Sequence, residues 1–234
     1  MTCQAVRMGS RIAGALLDAL AVLSPVDCAG CGSPDRALCE RCQLELEPAV
    51  TPRTLSDGST VFTALRYEGV VRRTLLALKE SGRTDVAKPL SASLAAAMKR
   101  AALEPAALEG AAQPEAEFLT VPTSKAAWRR RGYDPVALLC KRAGYEHAKP
   151  LRSSRATQSQ KTLGSDDRAL NLHESMKSRV PLWGRRFILV DDVVTTGATL
   201  AETARAVRAA GGEVVGYAAL AFTPRLFGSS QSIP

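Results

Sequence analysis

The chain reads as an α/β protein, a parallel sheet flanked by helices, preceded by a small N-terminal module of one helix and four cysteines. Two observations predict this. Toward the carboxyl terminus, RRFILV, TLAETARAVRAAG and EVVGYAALAF read as strand, helix and strand with short links. That is a βαβ unit, which builds parallel sheets. Toward the amino terminus, CAGCGSPDRALCERC gathers four cysteines in fifteen residues.

The first element follows Arg7 and Arg11, where IAGALLDALAVL places Ile12, Leu16, Leu20 and Leu23 at helical spacing. This predicts a short amphipathic helix ended by Pro25. Asp18 interrupts the apolar run and no small-x-small cleavage site follows, so the segment does not read as a signal peptide. No stretch of eighteen apolar residues exists elsewhere, and the expectation is a soluble, cytoplasmic protein without membrane insertion. At 234 residues, 46% apolar and 23% charged, the chain can bury a full core. Its net charge of +8 favours an anionic partner, whether a phosphorylated small molecule, a nucleic acid or a membrane surface.

The cysteines follow the pattern Cys28-x2-Cys31-x7-Cys39-x2-Cys42. Two C-x2-C knuckles can each supply two thiolates to one tetrahedral Zn²⁺, here a structural ion. The alternative, a pair of disulfides, needs an oxidising compartment that nothing else in the chain suggests. Cys3 and Cys140 read as bystanders. Residues 1–50 form this module, and the Pro-, Thr-, Ser- and Gly-rich stretch 48–59 reads as a boundary.

The main domain spans 60–223. VFTALRYEG predicts a strand and turn; VVRRTLLALKESG predicts a helix with Val71, Leu75 and Leu78 inward and Gly82 as its cap. On this reading Lys79 is the basic end of that helix, favoured by the dipole. Residues 89–102 continue as a helix, 103–117 as a surface loop, 118–122 as a strand stopped by Pro122, and 134–144 as a helix. Arg129, Arg130 and Arg131 beside Trp128 fit either an exposed basic helix start or a ligand contact. Residues 152–168 lack apolar periodicity and predict an exposed loop. Residues 169–178 predict a short helix, and 224–234 a frayed tail.

The informative stretch is FILVDDVVTTGAT, residues 187–199. Two adjacent carboxylates, Asp191 and Asp192, stand at the carboxyl end of a buried strand, where open α/β sheets bind ligands. The alternatives are a solvated strand end or the Mg²⁺ site of a receiver- or phosphatase-like domain. Thr195, Thr196, Gly197, Ala198 and Thr199 form the turn into a helix N-terminus, whose free N–H groups suit a phosphate. Acceptors for hydroxyls beside a phosphate cradle complement a sugar phosphate. Each hydrogen bond to a charged group is worth about 1.5–3 kcal/mol.

Here the sequence resembles a known family. All thirteen positions of FILVDDVVTTGAT fit the phosphoribosyl-pyrophosphate motif of type I phosphoribosyltransferases. The rest is similar to the ComF-type (GntX-like) branch: an N-terminal helix and four cysteines; YEGVVRRTLLALKESG, with Tyr67, Gly69 and Lys79; VPTSKAAWRRRGYD, with Pro122, Arg131, Gly132 and Tyr133; and RATQSQKTLGSDDRALN, with Arg155, Thr157, Gln160, Arg168 and Asn171. The family commonly has a second proline where Thr123 stands, Asn-Gln at Asp134-Pro135, and Phe at Glu80 and Met176. The resemblance implies a type I phosphoribosyltransferase fold that takes phosphoribosyl pyrophosphate with Mg²⁺ and transfers phosphoribose to a nitrogen acceptor, releasing pyrophosphate. It implies ribose contacts from Asp191 and Asp192, 5′-phosphate contacts from Thr195 to Thr199, and pyrophosphate contacts from Val121, Pro122, Thr123 and Ser124. Arg155, Gln160 and Arg168 would act from a loop over the site. The family's association with DNA uptake adds single-stranded DNA as a partner, and the fold adds a homodimer. A sensor or adaptor that binds the sugar phosphate without catalysis is the competing reading.

Overall fold

The computed structural model describes residues 26–109, 115–153 and 175–224. The expected N-terminal helix, the tail and the loop carrying Arg155, Gln160 and Arg168 lie outside these residues. In chain order the elements are α1 (Glu40–Leu44), β1 (Thr51–Thr54), β2 (Thr60–Arg66), α2 (Gly69–Glu80), α3 (Ala87–Glu109), β3 (Glu117–Thr120), α4 (Lys125–Arg131), α5 (Pro135–Arg142), β4 (Leu151–Ser153), β5 (Met176–Ser178), β6 (Arg186–Val194), α6 (Ala198–Ala209) and β7 (Glu213–Phe222).

The sheet order is β1-β2-β7-β6-β3; β1 pairs antiparallel with β2, and the other four strands run parallel. Strand β6 lies inside the sheet, and its residues alternate between two cores. Ile188 and Val190 pack with Leu75 and Leu78 of α2, Leu94 and Met98 of α3 and Leu139 of α5. Phe187 and Leu189 pack with Leu200, Ala204 and Val207 of α6. All four of these β6 side chains are essentially dry. Full burial of such a side chain is worth about 1.5–3 kcal/mol, so FILV alone anchors the sheet between its helices.

The strand edges differ from expectation at four places. The boundary stretch 48–59 contains β1, an edge strand carrying Pro52, with almost every side chain exposed. An edge strand facing water carries no alternation to read. The expected loop 103–117 is helical through Glu109, because α3 continues beyond the sheet it packs on. Met176–Ser178, expected as part of a helix, is strand β5, paired antiparallel with β4. Finally, β6 does not stop before the carboxylates. Val193 and Val194 stay in register with Ala221 and Phe222 of β7, so the strand runs through Asp191 and Asp192.

Residues 26–46 share the core of α2 and α3: Cys28, Leu38, Cys42 and Leu46 are buried in the same cluster as Val70, Leu75 and Leu90. The approach is close at Gly30, where a Cβ would lie 2.7 Å from Cys42 Sγ and 2.9 Å from Val70 Cγ1. Arg73 of α2 donates to the Gly30 carbonyl, and Arg83 to the Asp27 carbonyl at 3.1 Å. No helix among the described residues is long and apolar enough to cross a membrane.

Candidate functional site

Strands β3 and β6 are neighbours, yet their following helices leave to opposite faces. After β3 the chain reaches α5 on the α3 side, whereas β6 leads into α6 on the other. That divergence makes a topological switch point, and the crevice beyond the strand ends is where such sheets take ligands.

The structure brings three of the expected segments to this crevice. Thr120 pairs with Val190, and Val121 N donates to Val190 O at 3.1 Å. The segment Val121, Pro122, Thr123, Ser124 therefore runs beside Asp191 and Asp192. Ser124 then caps α4, its hydroxyl accepting from Ala127 N at 3.2 Å. Beyond the carboxylates, Thr195 and Thr196 are exposed, Gly197 is the N-cap of α6 at φ +83°, and Ala198 and Thr199 open the helix. Gly197 is required twice over. Its φ is left-handed, and a Cβ would meet Leu55 Cδ2 at 2.9 Å. The first turn of α6 thus presents backbone N–H groups and the positive end of the dipole toward the crevice.

The carboxylates are held unequally. Asp191 Oδ1 accepts from the Asp192 amide at 2.8 Å. Burial, followed by the neighbouring Asp192 charge, nevertheless pushes the Asp191 carboxyl up to about 7. Asp192 Oδ2 lies 2.8 Å from Lys79 Nζ, with both side chains more than four-fifths buried. Lys79, read from sequence as a helix-end cation, is instead the electropositive partner of the dyad. The sequence marked Lys79 within the family-like YEGVVRRTLLALKESG segment but gave no local signal of what it meets; the dyad supplied the other clue, since two carboxylates entering a core require a cation from somewhere.

The next residues of α2 face α4. Glu80 is 3.1 Å from Arg131 Nη2 and 3.3 Å from Arg130 Nη2. Tyr133 donates its hydroxyl proton to the Leu78 carbonyl. Of the basic triplet, two members are thus tied to Glu80, while Trp128 stands 55% exposed on the same helix. Beside it, a concavity of about 270 Å³ is edged by Thr123, Lys125, Lys149, Arg152 and Arg179. Asp134 and Pro135, departures from the family pattern, form the cap and first turn of α5, with Asp134 Oδ1 accepting from Ala137 N at 3.0 Å.

On the other face, α6 grips β5. Glu202, buried, accepts from Met176 N at 3.0 Å, and Arg205 donates to Met176 O at 3.0 Å while pairing with Glu202 at 2.7 Å. Helix α6 and the ribbon β4–β5 are thereby one unit.

The four cysteines Cys28, Cys31, Cys39 and Cys42 place their sulfurs within 4.8 Å of one another, with Cys31 and Cys39 Sγ 3.6 Å apart. All five described cysteines are free thiols. Ligands about 2.3 Å from a tetrahedral centre sit roughly 3.8 Å from each other, so the cluster can hold a metal ion. Burial and the other three sulfurs push the Cys42 thiol up, while the Ser33 hydroxyl draws Cys31 down to about 6. Cys140 stands apart in the core, where burial raises it to about 12.

Comparison with known proteins finds the following likenesses. Residues 130–227 match the family model for a phosphoribosyl transferase domain. The DNA utilization protein YhgH of Escherichia coli O157:H7 is 29% identical over 188 residues, covering 76% of this chain and 81% of that protein. The orotate phosphoribosyltransferase of Campylobacter curvus is 53% identical over 38 residues, 16% of this chain and 19% of its own length. Among solved structures, the adenine phosphoribosyltransferase of Saccharomyces cerevisiae has a TM-score of 0.37 at 13% identity, over 79% of this chain and 89% of that one.

Proposed function

We propose, from the match of residues 130–227 to a phosphoribosyl transferase domain and the likeness to a DNA utilization protein, that this chain binds phosphoribosyl pyrophosphate and transfers the phosphoribosyl group to a nitrogen acceptor. The observation that carries the reading is the convergence of three segments at one switch point: the Val121–Ser124 loop, the Asp191–Asp192 dyad and the Gly197 entry to α6. Asp191 and Asp192 accept the ribose hydroxyls. Thr195 to Thr199 hold the 5′-phosphate on backbone and hydroxyl donors. Val121 to Ser124 lie along the pyrophosphate, with Arg155, Gln160 and Arg168 assigned to the same leaving group.

In the reaction the C1–oxygen bond to pyrophosphate breaks, a C1–nitrogen bond forms, and the acceptor nitrogen loses a proton. Positive charge develops on the ribose ring, as in oxocarbenium-like glycosyl transfer. A carboxylate pair fixed beside the ring stabilises that charge. Mg²⁺ would enter with the substrate, held chiefly by its phosphate oxygens and by water. When bound, that ion neutralises the departing pyrophosphate. Zn²⁺ on Cys28, Cys31, Cys39 and Cys42 is structural on this reading. Held there, it would cross-link residues 26–46, whose core is shared with α2 and α3.

The test is calorimetric titration of phosphoribosyl pyrophosphate with Mg²⁺ into the wild type and into Asp191→Asn, Asp192→Asn. Saturable binding that weakens at least tenfold in the double variant supports the site. Folded wild-type protein that takes up no ligand refutes it.

A second reading has its own observation. Exposed Trp128, with Lys125, Lys149, Arg152 and Arg179 around the adjoining concavity, offers one stacking surface beside a cationic edge. Single-stranded DNA has the complementary chemistry. On this reading the strand lies along α4, next to the sugar-phosphate crevice.

A further inference from the structure

The last turn of α2 is built around the dyad in a way the proposed transfer chemistry leaves unassigned. A lysine at a helix C-terminus ordinarily extends into water, favoured there by the dipole. Lys79 does the opposite: its side chain is only 19% exposed, and its ammonium lies 2.8 Å from Asp192 Oδ2. The turn that aims it is secured on both sides. The Tyr133 hydroxyl holds the Leu78 carbonyl, and Glu80 is engaged by Arg130 and Arg131. Leu78 is fully buried against the core of β6 and α3. Neighbours on three consecutive residues, Leu78, Lys79 and Glu80, thus leave the ammonium little freedom to turn away.

We infer that Lys79 is a positioning residue of the sugar-phosphate site: its ammonium fixes the Asp192 carboxylate through Oδ2 and leaves Oδ1 for a ligand hydroxyl. This rests on the proposed reading of the crevice. It also gives the pair of carboxylates a division of labour. Asp192, held by a full charge, is the invariant acceptor. Asp191 instead accepts from the Asp192 backbone amide. The charged groups facing Asp191 are Asp192 on its own strand, Lys79 from α2 and Asp134 at the start of α5. Of these only Lys79 is cationic, so its removal leaves the dyad without a compensating charge.

The experiment has two arms on the full chain. In the first, ¹³C-detected NMR follows the aspartate carboxyl carbons with pH, without ligand, in wild type, Lys79→Met, Lys79→Gln and Lys79→Arg. The expected result is an upward move of the dyad's titration by at least one pH unit in the neutral variants, with near wild-type behaviour in Lys79→Arg. In the second, phosphoribosyl pyrophosphate affinity at pH 8 falls tenfold or more in the neutral variants and returns to within threefold in Lys79→Arg. A dyad that titrates identically in folded Lys79→Gln overturns the inference whatever the ligand does. A shifted titration with ligand affinity unchanged also overturns it, because the positioning then has no consequence for binding. If the wild type binds no ligand at all, the failure belongs to the proposed function, and the first arm still judges the ion pair.

Discussion

Asp191→Asn should stabilise the folded protein at alkaline pH and barely affect it in acid. Burial and the Asp192 charge raise the Asp191 carboxyl from its ordinary value near 3.8 to about 7. A carboxyl raised on folding binds its proton more tightly in the native state. Native stability is therefore highest below about pH 4, declines as pH rises toward 7, and carries the whole penalty above that. At about 1.4 kcal/mol per pH unit, a shift of this size corresponds to about 4 kcal/mol. Asp191 retains some solvent contact, which screens part of this, and about 2 kcal/mol is the working figure. Asparagine keeps the shape and removes the charge. Urea unfolding at pH 8 should show the variant about 2 kcal/mol more stable, or roughly 5 °C higher in Tm for a chain of this size. At pH 4.5 the difference should shrink to about 0.5 kcal/mol. An equal gain at both pH values would refute the reasoning, because asparagine would then be acting through packing. No gain at pH 8 would mean that the dyad holds its charges without cost.

Two further outcomes test other parts of the molecule. Purified, reduced protein should carry about one zinc per chain, and Cys42→Ser should lose it with a fall in stability of several kcal/mol, since residues 26–46 share the core of α2 and α3; metal analysis that finds none would remove the zinc assignment. Fluorescence titration with a short single-stranded oligonucleotide should show affinity that falls steeply with salt and drops about tenfold in Trp128→Ala, the scale of one lost base stack of 1–3 kcal/mol. Binding that ignores both salt and Trp128 would sink the DNA reading.

The sequence by itself determined the pieces that are local. FILV and EVVGYAALAF are strands because continuous apolar runs fill a buried sheet, and both appear as β6 and β7. Leu200, Thr203, Ala204 and Val207 of α6 fall at helical spacing in the sequence and are buried in the structure. The dyad, the Gly197 turn and the two cysteine knuckles were legible for the same reason: each is a short run whose chemistry depends on its neighbours in the chain.

Tertiary structure decided what those pieces meet. Strand order depends on backbone hydrogen bonds between distant segments, and only that order sets Val121–Ser124 beside Asp191. The small strands β1, β4 and β5 owe their state to a partner rather than to any period of their own. Above all, the partner of Lys79 was hidden, because a helix-end lysine has the same local sequence whether it enters water or a carboxylate pair. Packing of Leu75 and Leu78 onto β6 turned it inward. The sequence contained two carboxylates in want of a cation; folding supplied one from α2.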